Sequence, residues 1–194
     1  MTRIIAGEAR GRTIKVPQSG TRPTSDRARE GLFSSLSMRW GFSGSKVLDL
    51  FAGSGALGLE AASRGAEEVV LVEHHAAAVR VIEHNISVVR HPKVTVREQK
   101  ASTYLATAPR GYFDMVLADP PYDFGAVDEL IEAIIPVLDD RAIVVLERHV
   151  DSPATQWPAG FSETGQKLKK RTYGVARMDM AIFDRADYEK ENND

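Results

Sequence analysis

With 194 residues, 43% apolar content and a formal charge of −2, the chain is sized for one compact domain with a substantial core and leaves little room for a second. The absence of cysteine excludes disulfides, thiolate catalysis and cysteine-ligated metals. No apolar run reaches the roughly 18 residues that a membrane helix needs, and the N-terminus lacks a signal-peptide core, so a soluble cytoplasmic protein is expected. In chain order, Arg3 to Ala6 and Thr13 to Val16, separated by Gly7-Glu-Ala-Arg-Gly11, read as a β-hairpin, and Pro17 to Pro23 as a loop. Ser25 to Met38 reads as a helix with Ala28, Leu32, Phe33 and Leu36 on one face. Strands follow at 46–51, 68–73, 94–98, 113–118 and 142–148, interleaved with helices near 55–64, 76–90 and 125–137. This alternation predicts a parallel sheet covered on both faces. Glu163 to Lys169 and Tyr173 to Phe183 read as two closing strands joined by a basic turn, and 184–194, rich in acids and Asn, as a frayed tail.

Charge is distributed less evenly than its total suggests. A pI near 6.2 argues against nucleic-acid binding through bulk charge. Yet Arg3, Arg10, Arg12, Lys15, Arg22, Arg27 and Arg29 face only Glu8, Asp26 and Glu30, and Lys167, Lys169, Lys170, Arg171 and Arg177 lie in a stretch without an acid. Two such patches flanking a neutral body can follow a phosphate backbone; the alternative is a pair of ordinary solvated faces.

The chemistry is concentrated at three strand tips. Val47-Leu-Asp49-Leu-Phe51-Ala-Gly53-Ser54-Gly55-Ala-Leu-Gly58 reads as a buried strand, a tight glycine turn and a helix start, where close backbone approach and free N–H groups suit a ligand. The glycine spacing also satisfies a dinucleotide fingerprint. Glu73, ending Glu68-Val-Val-Leu-Val-Glu73, suits a ribose in either cofactor type. Asp49 separates the two, because a carboxylate four residues before Gly53 suits a cationic amino group and faces a pyrophosphate badly. The cofactor it fits is S-adenosylmethionine. After Phe113-Asp-Met-Val-Leu-Ala118 comes Asp119-Pro120-Pro121-Tyr122. Two prolines remove two donors, leaving the carbonyls of Asp119 and Pro120 to polarise an exocyclic amine while Tyr122 stacks on its ring. In a doubly wound sheet all three acids would meet at one crevice. The five histidines show no H-E-x-x-H spacing, and no metal site is expected.

Asp49-Leu-Phe-Ala-Gly-Ser-Gly55, Glu73 and Asp119-Pro-Pro-Tyr122, together with Arg22-Pro-Thr-Ser-Asp-Arg-Ala-Arg-Glu-Gly-Leu-Phe33, Arg3-Ile-Ile-Ala-Gly7 and Arg10-Gly-Arg12, resemble the bacterial RsmD family, which methylates a guanine N2 in 16S ribosomal RNA of the small subunit. The resemblance runs from about Arg3 to Phe183. It implies a class I S-adenosylmethionine-dependent methyltransferase fold, Rossmann-like, with a seven-stranded, mostly parallel sheet and an N-terminal β-hairpin extension. It implies a methyltransferase domain over 24–183, preceded by an RNA-contacting segment over 1–23. On this resemblance Asp119, Pro120, Pro121 and Tyr122 are catalytic. Thr24 and Arg27 match the segment that helps close the cofactor site, with a helix-surface charge as the alternative for Arg27; Asp49, Phe51, Gly53, Ser54, Gly55 and Glu73 are expected to bind the donor, His74 to pack on adenine or else to be an exposed loop residue, and backbone near Ala101 to read the adenine in place of an absent acid. Arg3, Arg10, Arg12, Lys15, Arg22, Lys169, Lys170 and Arg171 contact RNA, within an assembled or assembling small subunit, and the enzyme is expected to be a monomer. Rival readings are an adenine-N6 DNA methyltransferase, a nicotinamide oxidoreductase and a non-catalytic RNA-binding module.

Overall fold

A computed structural model of the protein describes residues 1–17, 25–121, 123–165 and 171–193. In chain order the elements are β1 (Thr2–Arg3), β2 (Thr13–Ile14), α1 (Asp26–Arg39), β3 (Lys46–Leu50), α2 (Ala56–Ser63), β4 (Glu68–Glu73), α3 (Ala76–Val89), β5 (Val94–Glu98), α4 (Ala101–Thr107), β6 (Phe113–Ala118), α5 (Val127–Ile134), a 3₁₀ turn (Ile135–Val137), β7 (Leu138–His149), β8 (Phe161–Glu163), β9 (Thr172–Tyr173), β10 (Ala176–Phe183) and α6 (Arg185–Asn193). The central sheet runs β5-β4-β3-β6-β7-β10-β8, the expected seven strands, with the two-residue β9 attached to β10 beside that path. β5, β4, β3, β6 and β7 are mutually parallel, and β10 enters antiparallel against β7. The order reverses between β3 and β6. A crevice opens there at the carboxyl ends of the strands.

Period-two alternation divides the interior into two cores. Val47, Val69, Leu71, Met115, Leu117, Ile143 and Val145 face the cluster that holds residues of α1, α2 and α3. Leu48, Leu50, Val70, Val72, Val116, Ala118, Val144 and Leu146 face α4, α5, the 3₁₀ turn and Tyr188 of α6. Strands buried on both sides read as continuous apolar runs, which is why β3, β4 and β6 stand out in the sequence. Helix α1 begins where the Ser25 side chain accepts from the Ala28 amide at 3.1 Å, and it buries Ala28, Leu32, Phe33 and Leu36.

The N-terminal segment departs from its expected form. Thr2–Arg3 and Thr13–Ile14 pair across a hairpin, and Ile4 extends it by bonds with Arg12 and Gly11. The next amides turn elsewhere: Ile5 and Ala6 donate to the Glu60 carboxylate at 2.8 and 3.1 Å, Glu8 to the Ser63 carbonyl at 2.8 Å, and Ala9 to Ser63 Oγ at 2.9 Å. Helix α2 thus replaces the missing strand partner. Gly7 sits so close that a β-carbon would overlap the Ser63 carbonyl. Arg29, counted in the sequence as part of a basic patch, is fully buried instead: Nη2 donates to the Thr2 hydroxyl at 2.9 Å and the Arg3 carbonyl at 2.6 Å, and Nε lies 3.9 Å from buried Glu60. Arg64 closes the network by donating to Glu60 at 2.8 Å.

Two further expectations are corrected at the C-terminus. Residues 185–193 form a helix rather than a frayed tail, because Tyr188 packs on Phe183 with ring centroids 5.6 Å apart. Arg171 and Arg177 both serve Asp179, a carboxylate only 2% exposed. Arg177 grips both its oxygens at 2.9 Å and also donates to the carbonyls of Val150, Ser152 and Pro153, while Arg171 Nη1 donates at 3.1 Å. Arg171 is therefore engaged in an internal ion pair and is not the free RNA-contacting cation that charge alone suggested. The expected basic turn at Lys167, Lys169 and Lys170 lies outside the described residues.

Truncating Glu60 to Ala leaves buried Arg29 with Asp26, 3.0 Å away, as its remaining carboxylate, and deprives two arm amides and Arg64 Nε of their acceptor. Loss of one partner of a buried ion pair costs about 3–5 kcal/mol. Urea denaturation of Glu60→Ala should show a loss of this size, together with faster hydrogen exchange at Ile5 and Ala6; a variant as stable as the wild type would contradict the assigned network.

Candidate active site

Register brings the predicted acids to one edge and one face. Asp49 of β3 lies opposite Leu71 of β4 and Leu117 of β6. Two residues further stand Glu73, the last of β4, and Asp119, one residue past the end of β6 but still bonded to Leu50; alternation puts both on the face of Leu71 and Leu117. Glu147, two residues beyond Val145 of β7, completes the row and is 4% exposed. It was not singled out in the sequence, since an acid inside Val-Val-Leu-Glu-Arg-His carries no motif.

Asp49 is 1% exposed, and its Oδ2 accepts from the Gly58 amide at 2.8 Å. Its Oδ1 is buried without a hydrogen-bond partner among the described residues. Burial pushes the carboxyl up to about 7; the Gly58 bond opposes this, and the nearby Glu73 charge adds to it. Gly58 is required by packing: a β-carbon would overlap Leu71 Cδ2 and come within 3.1 Å of Asp49 Oδ2. This glycine therefore serves the close approach of α2 to β3 and β4.

The turn between Asp49 and α2 is tightly bent. Phe51 takes φ 62°, unusual for a residue with a side chain, and Gly53 and Gly55 take φ 57° and 75°. The Gly55 amide donates back to the Ala52 carbonyl at 2.6 Å, and Ala52 donates to Val72 at 3.0 Å. Gly53 donates to Glu73 Oε2 at 3.0 Å, so the turn and the second acid are joined. Glu73 Oε1 accepts from the amides of His74 and His75, each at 2.8 Å. Ser54 is 7% exposed, and its carbonyl accepts from Asn85.

The other predicted cofactor residues surround this turn unequally. His74 is exposed, with Nδ1 3.4 Å from Glu73. Ala101 opens α4, and the preceding loop is tied to the same acid, as the Gln99 amide donates to the Glu73 carbonyl at 3.0 Å. Helix α4 was not expected; its seven residues lack a strong apolar period. Arg27 is exposed on the first turn of α1. Thr24 lies outside the described residues. Glu73, His74 and His75 present ligand atoms within 4.8 Å of one another, although no metal site was expected; a cation there would compete with the two amides on Glu73 Oε1.

At the third tip, the Asp119 amide donates to the Leu50 carbonyl at 3.4 Å, holding the start of the tetrapeptide against β3. Pro120 is buried and Pro121 exposed. The Pro121 carbonyl accepts from Phe124 at 2.8 Å and closes a turn, whereas among the described residues no donor is hydrogen-bonded to the Pro120 carbonyl. Tyr122 lies outside the described residues. Phe124 meets Phe51 edge-on at 5.4 Å, linking the tetrapeptide loop to the glycine turn. An aromatic two residues after the tetrapeptide was the available signal for this contact.

Of the cations assigned to RNA, Arg3, Arg10, Arg12 and Lys15 are exposed along the N-terminal arm. Arg12 also donates to the Val88 and Val89 carbonyls at 2.9 and 2.7 Å, capping the C-terminal end of α3. Arg22, Lys169 and Lys170 lie outside the described residues.

The sheet order, the glycine turn and the row of acids define a class I methyltransferase fold. Residues 2–181 match the family described as Conserved hypothetical protein 95, and the chain belongs to that family. It is 36% identical over 169 residues to Ribosomal RNA small subunit methyltransferase D of Escherichia coli strain K12, covering 86% of this chain and 84% of that protein. It is 34% identical over 179 residues to the Haemophilus influenzae protein of the same name, covering 89% of each. The solved structure of Escherichia coli yhhF superposes with a TM-score of 0.81 at 32% identity, covering 94% of this chain and 98% of that one.

The raised Asp49 pKa has a definite sign in stability. The folded state keeps a proton that the unfolded chain releases near pH 4, so stability falls as pH rises from about 4 to about 7 and levels off above. Relative to Asp49→Asn, the wild type should lose urea-unfolding free energy across that window; parallel curves throughout would refute the raised pKa.

Proposed function

We propose that the protein transfers a methyl group from S-adenosylmethionine to the exocyclic N2 of a guanine in 16S small-subunit ribosomal RNA. The observation that carries this reading is the alignment of Asp49, Glu73 and Asp119 along one face at the carboxyl edge of β3, β4 and β6. Membership of a family whose relatives include ribosomal RNA small subunit methyltransferases supports the substrate class.

The chain's own residues fit the cofactor. The unpartnered, buried Asp49 Oδ1 is an acceptor in want of a cation, and an ammonium group would meet that need. Glu73 Oε2, accepting from Gly53, retains a lone pair for a ribose hydroxyl. When bound, S-adenosylmethionine supplies an electrophilic methyl carbon. Asp119 and the Pro120 carbonyl accept hydrogen bonds from the target amine, orienting its lone pair, and Tyr122 stacks on the base. A strong general base is not needed before attack, because the nitrogen becomes acidic once alkylated. The target edge of guanine is paired in a helix, so the base is taken from a loop or flipped out. Arg3, Arg10, Arg12 and Lys15 on the anchored arm, with Arg22, Lys169 and Lys170, track phosphates in the assembled or assembling subunit, and the enzyme works as a monomer.

Asp119→Ala should reduce turnover by about 10²–10³ while S-adenosylhomocysteine affinity stays within a few-fold. Small subunits from cells lacking the gene provide the substrate, and nuclease mapping of the product identifies the base. Methylation of adenine, or incorporation into duplex DNA in place of ribosomal RNA, would overturn the reading.

A further inference from the structure

Asn85 sits in the middle of α3 with no exposed surface, on the face that also buries Ile82 and Val89. A carboxamide in that setting must find partners, since an unpaired buried amide costs more than a leucine would. It finds them in two distant segments. Oδ1 accepts from the Lys15 amide at 2.8 Å, and Nδ2 donates to the Lys15 carbonyl and the Ser54 carbonyl, each at 2.9 Å. The Lys15 N–H can meet only the oxygen, which fixes the orientation of the amide. Both backbone groups of one arm residue and one carbonyl of the glycine turn are thus held by a single side chain.

The Ser54 carbonyl belongs to the peptide unit that carries the Gly55 amide, and that amide makes the 2.6 Å bond to Ala52 closing the turn. Holding the carbonyl therefore holds the plane of the peptide on which the turn's shape depends. Lys15 follows Ile14, a fully buried arm residue, and carries an exposed cation.

We propose that Asn85 is a positioning residue for methyl transfer, which sets the cofactor turn through Ser54 and couples that turn to the basic N-terminal arm through Lys15. The proposal rests on reading Gly53–Gly55 as the cofactor site. Because coupling between two sites is reciprocal, a ligand that orders the turn also orders the arm, and RNA that engages the arm tightens the cofactor.

Asn85→Asp tests the donor with almost no change in shape: it keeps an acceptor for the Lys15 amide and sets a second acceptor against two carbonyls. Calorimetry with S-adenosylhomocysteine should show an affinity loss of about tenfold, the size expected for losing one to two hydrogen bonds. KM for S-adenosylmethionine should rise in parallel, while kcat at saturating cofactor, on small subunits lacking the methyl group, stays within about threefold. Hydrogen exchange supplies a second measurement, begun on the wild type. S-adenosylhomocysteine should slow exchange of the Lys15 amide in the wild type, and this slowing should vanish in Asn85→Ala. A folded Asn85→Asp with wild-type affinity, or a Lys15 amide indifferent to S-adenosylhomocysteine in the wild type, overturns the coupling alone. Failure of the wild type to bind S-adenosylhomocysteine overturns the cofactor reading as well.

Discussion

Enclosing the Asp49 carboxylate between β3 and α2 is the constraint from which the site's geometry follows. Only glycine at position 58 lets the helix backbone approach closely enough to donate to Oδ2. That approach leaves few residues to turn from strand to helix, which drives Phe51, Gly53 and Gly55 to positive φ. Phe51 in the left-handed region costs stability, as does a buried carboxyl whose second oxygen has no partner among the described residues. A cationic ligand relieves the largest of these costs. On the proposed reading, the site is held in a shape that water serves badly and an ammonium group would serve well.

The same logic of satisfied backbone groups explains the N-terminal arm. So short a hairpin has too few ladder bonds to stand alone. Carboxylate, hydroxyl and amide side chains from α2 and α3 take the amides of Ile5, Ala6, Ala9 and Lys15, and α2 backbone takes that of Glu8. A basic tail without such anchors would lose conformational freedom on meeting RNA, and that loss would reduce affinity. Here Arg3, Arg10, Arg12 and Lys15 are carried on a backbone already ordered by folding. Glu60 and Ser63 thus stand close to substrate binding in effect, though they are buried on the far side of the arm's backbone.

What the sequence revealed and what it hid have separate physical causes. β4 and β6 match their expected bounds because parallel strands buried on both faces are apolar throughout and give way sharply to polar residues. Asp49, Glu73 and Asp119 could be placed together for the same reason, each closing such a run. Buried charge was not legible. Arg29, Arg171 and Arg177 look like solvated cations in a one-dimensional reading, and only the fold brings Glu60 and Asp179 to them. Asn85 was hidden likewise, since a lone amide on an apolar helix face has no local signature. The length of the hairpin was overestimated because short apolar segments on either side of a glycine turn arise from burial against helices as well as from pairing between strands.

Buried charge also resolves the tension between a net-negative protein and an RNA substrate. Among the described residues, Asp49, Glu60, Glu73, Glu147 and Asp179 are buried, against only Arg29 and Arg177 of the cations. Arg29 and Arg177 offset Glu60 and Asp179, so among the described residues the buried groups carry a formal −3, left on Asp49, Glu73 and Glu147. RNA responds to the exterior field, decaying over a Debye length of about 8 Å at physiological salt, and not to a sum over the whole chain. On the proposed reading, Asp49 and Glu73, which would receive an ammonium group and a ribose, are buried, while Arg3, Arg10, Arg12 and Lys15, which would meet phosphates, are exposed. Inward carboxylates and an anchored outward row of cations are two parts of one arrangement, and Glu60, Ser63 and Asn85 are the residues that join them.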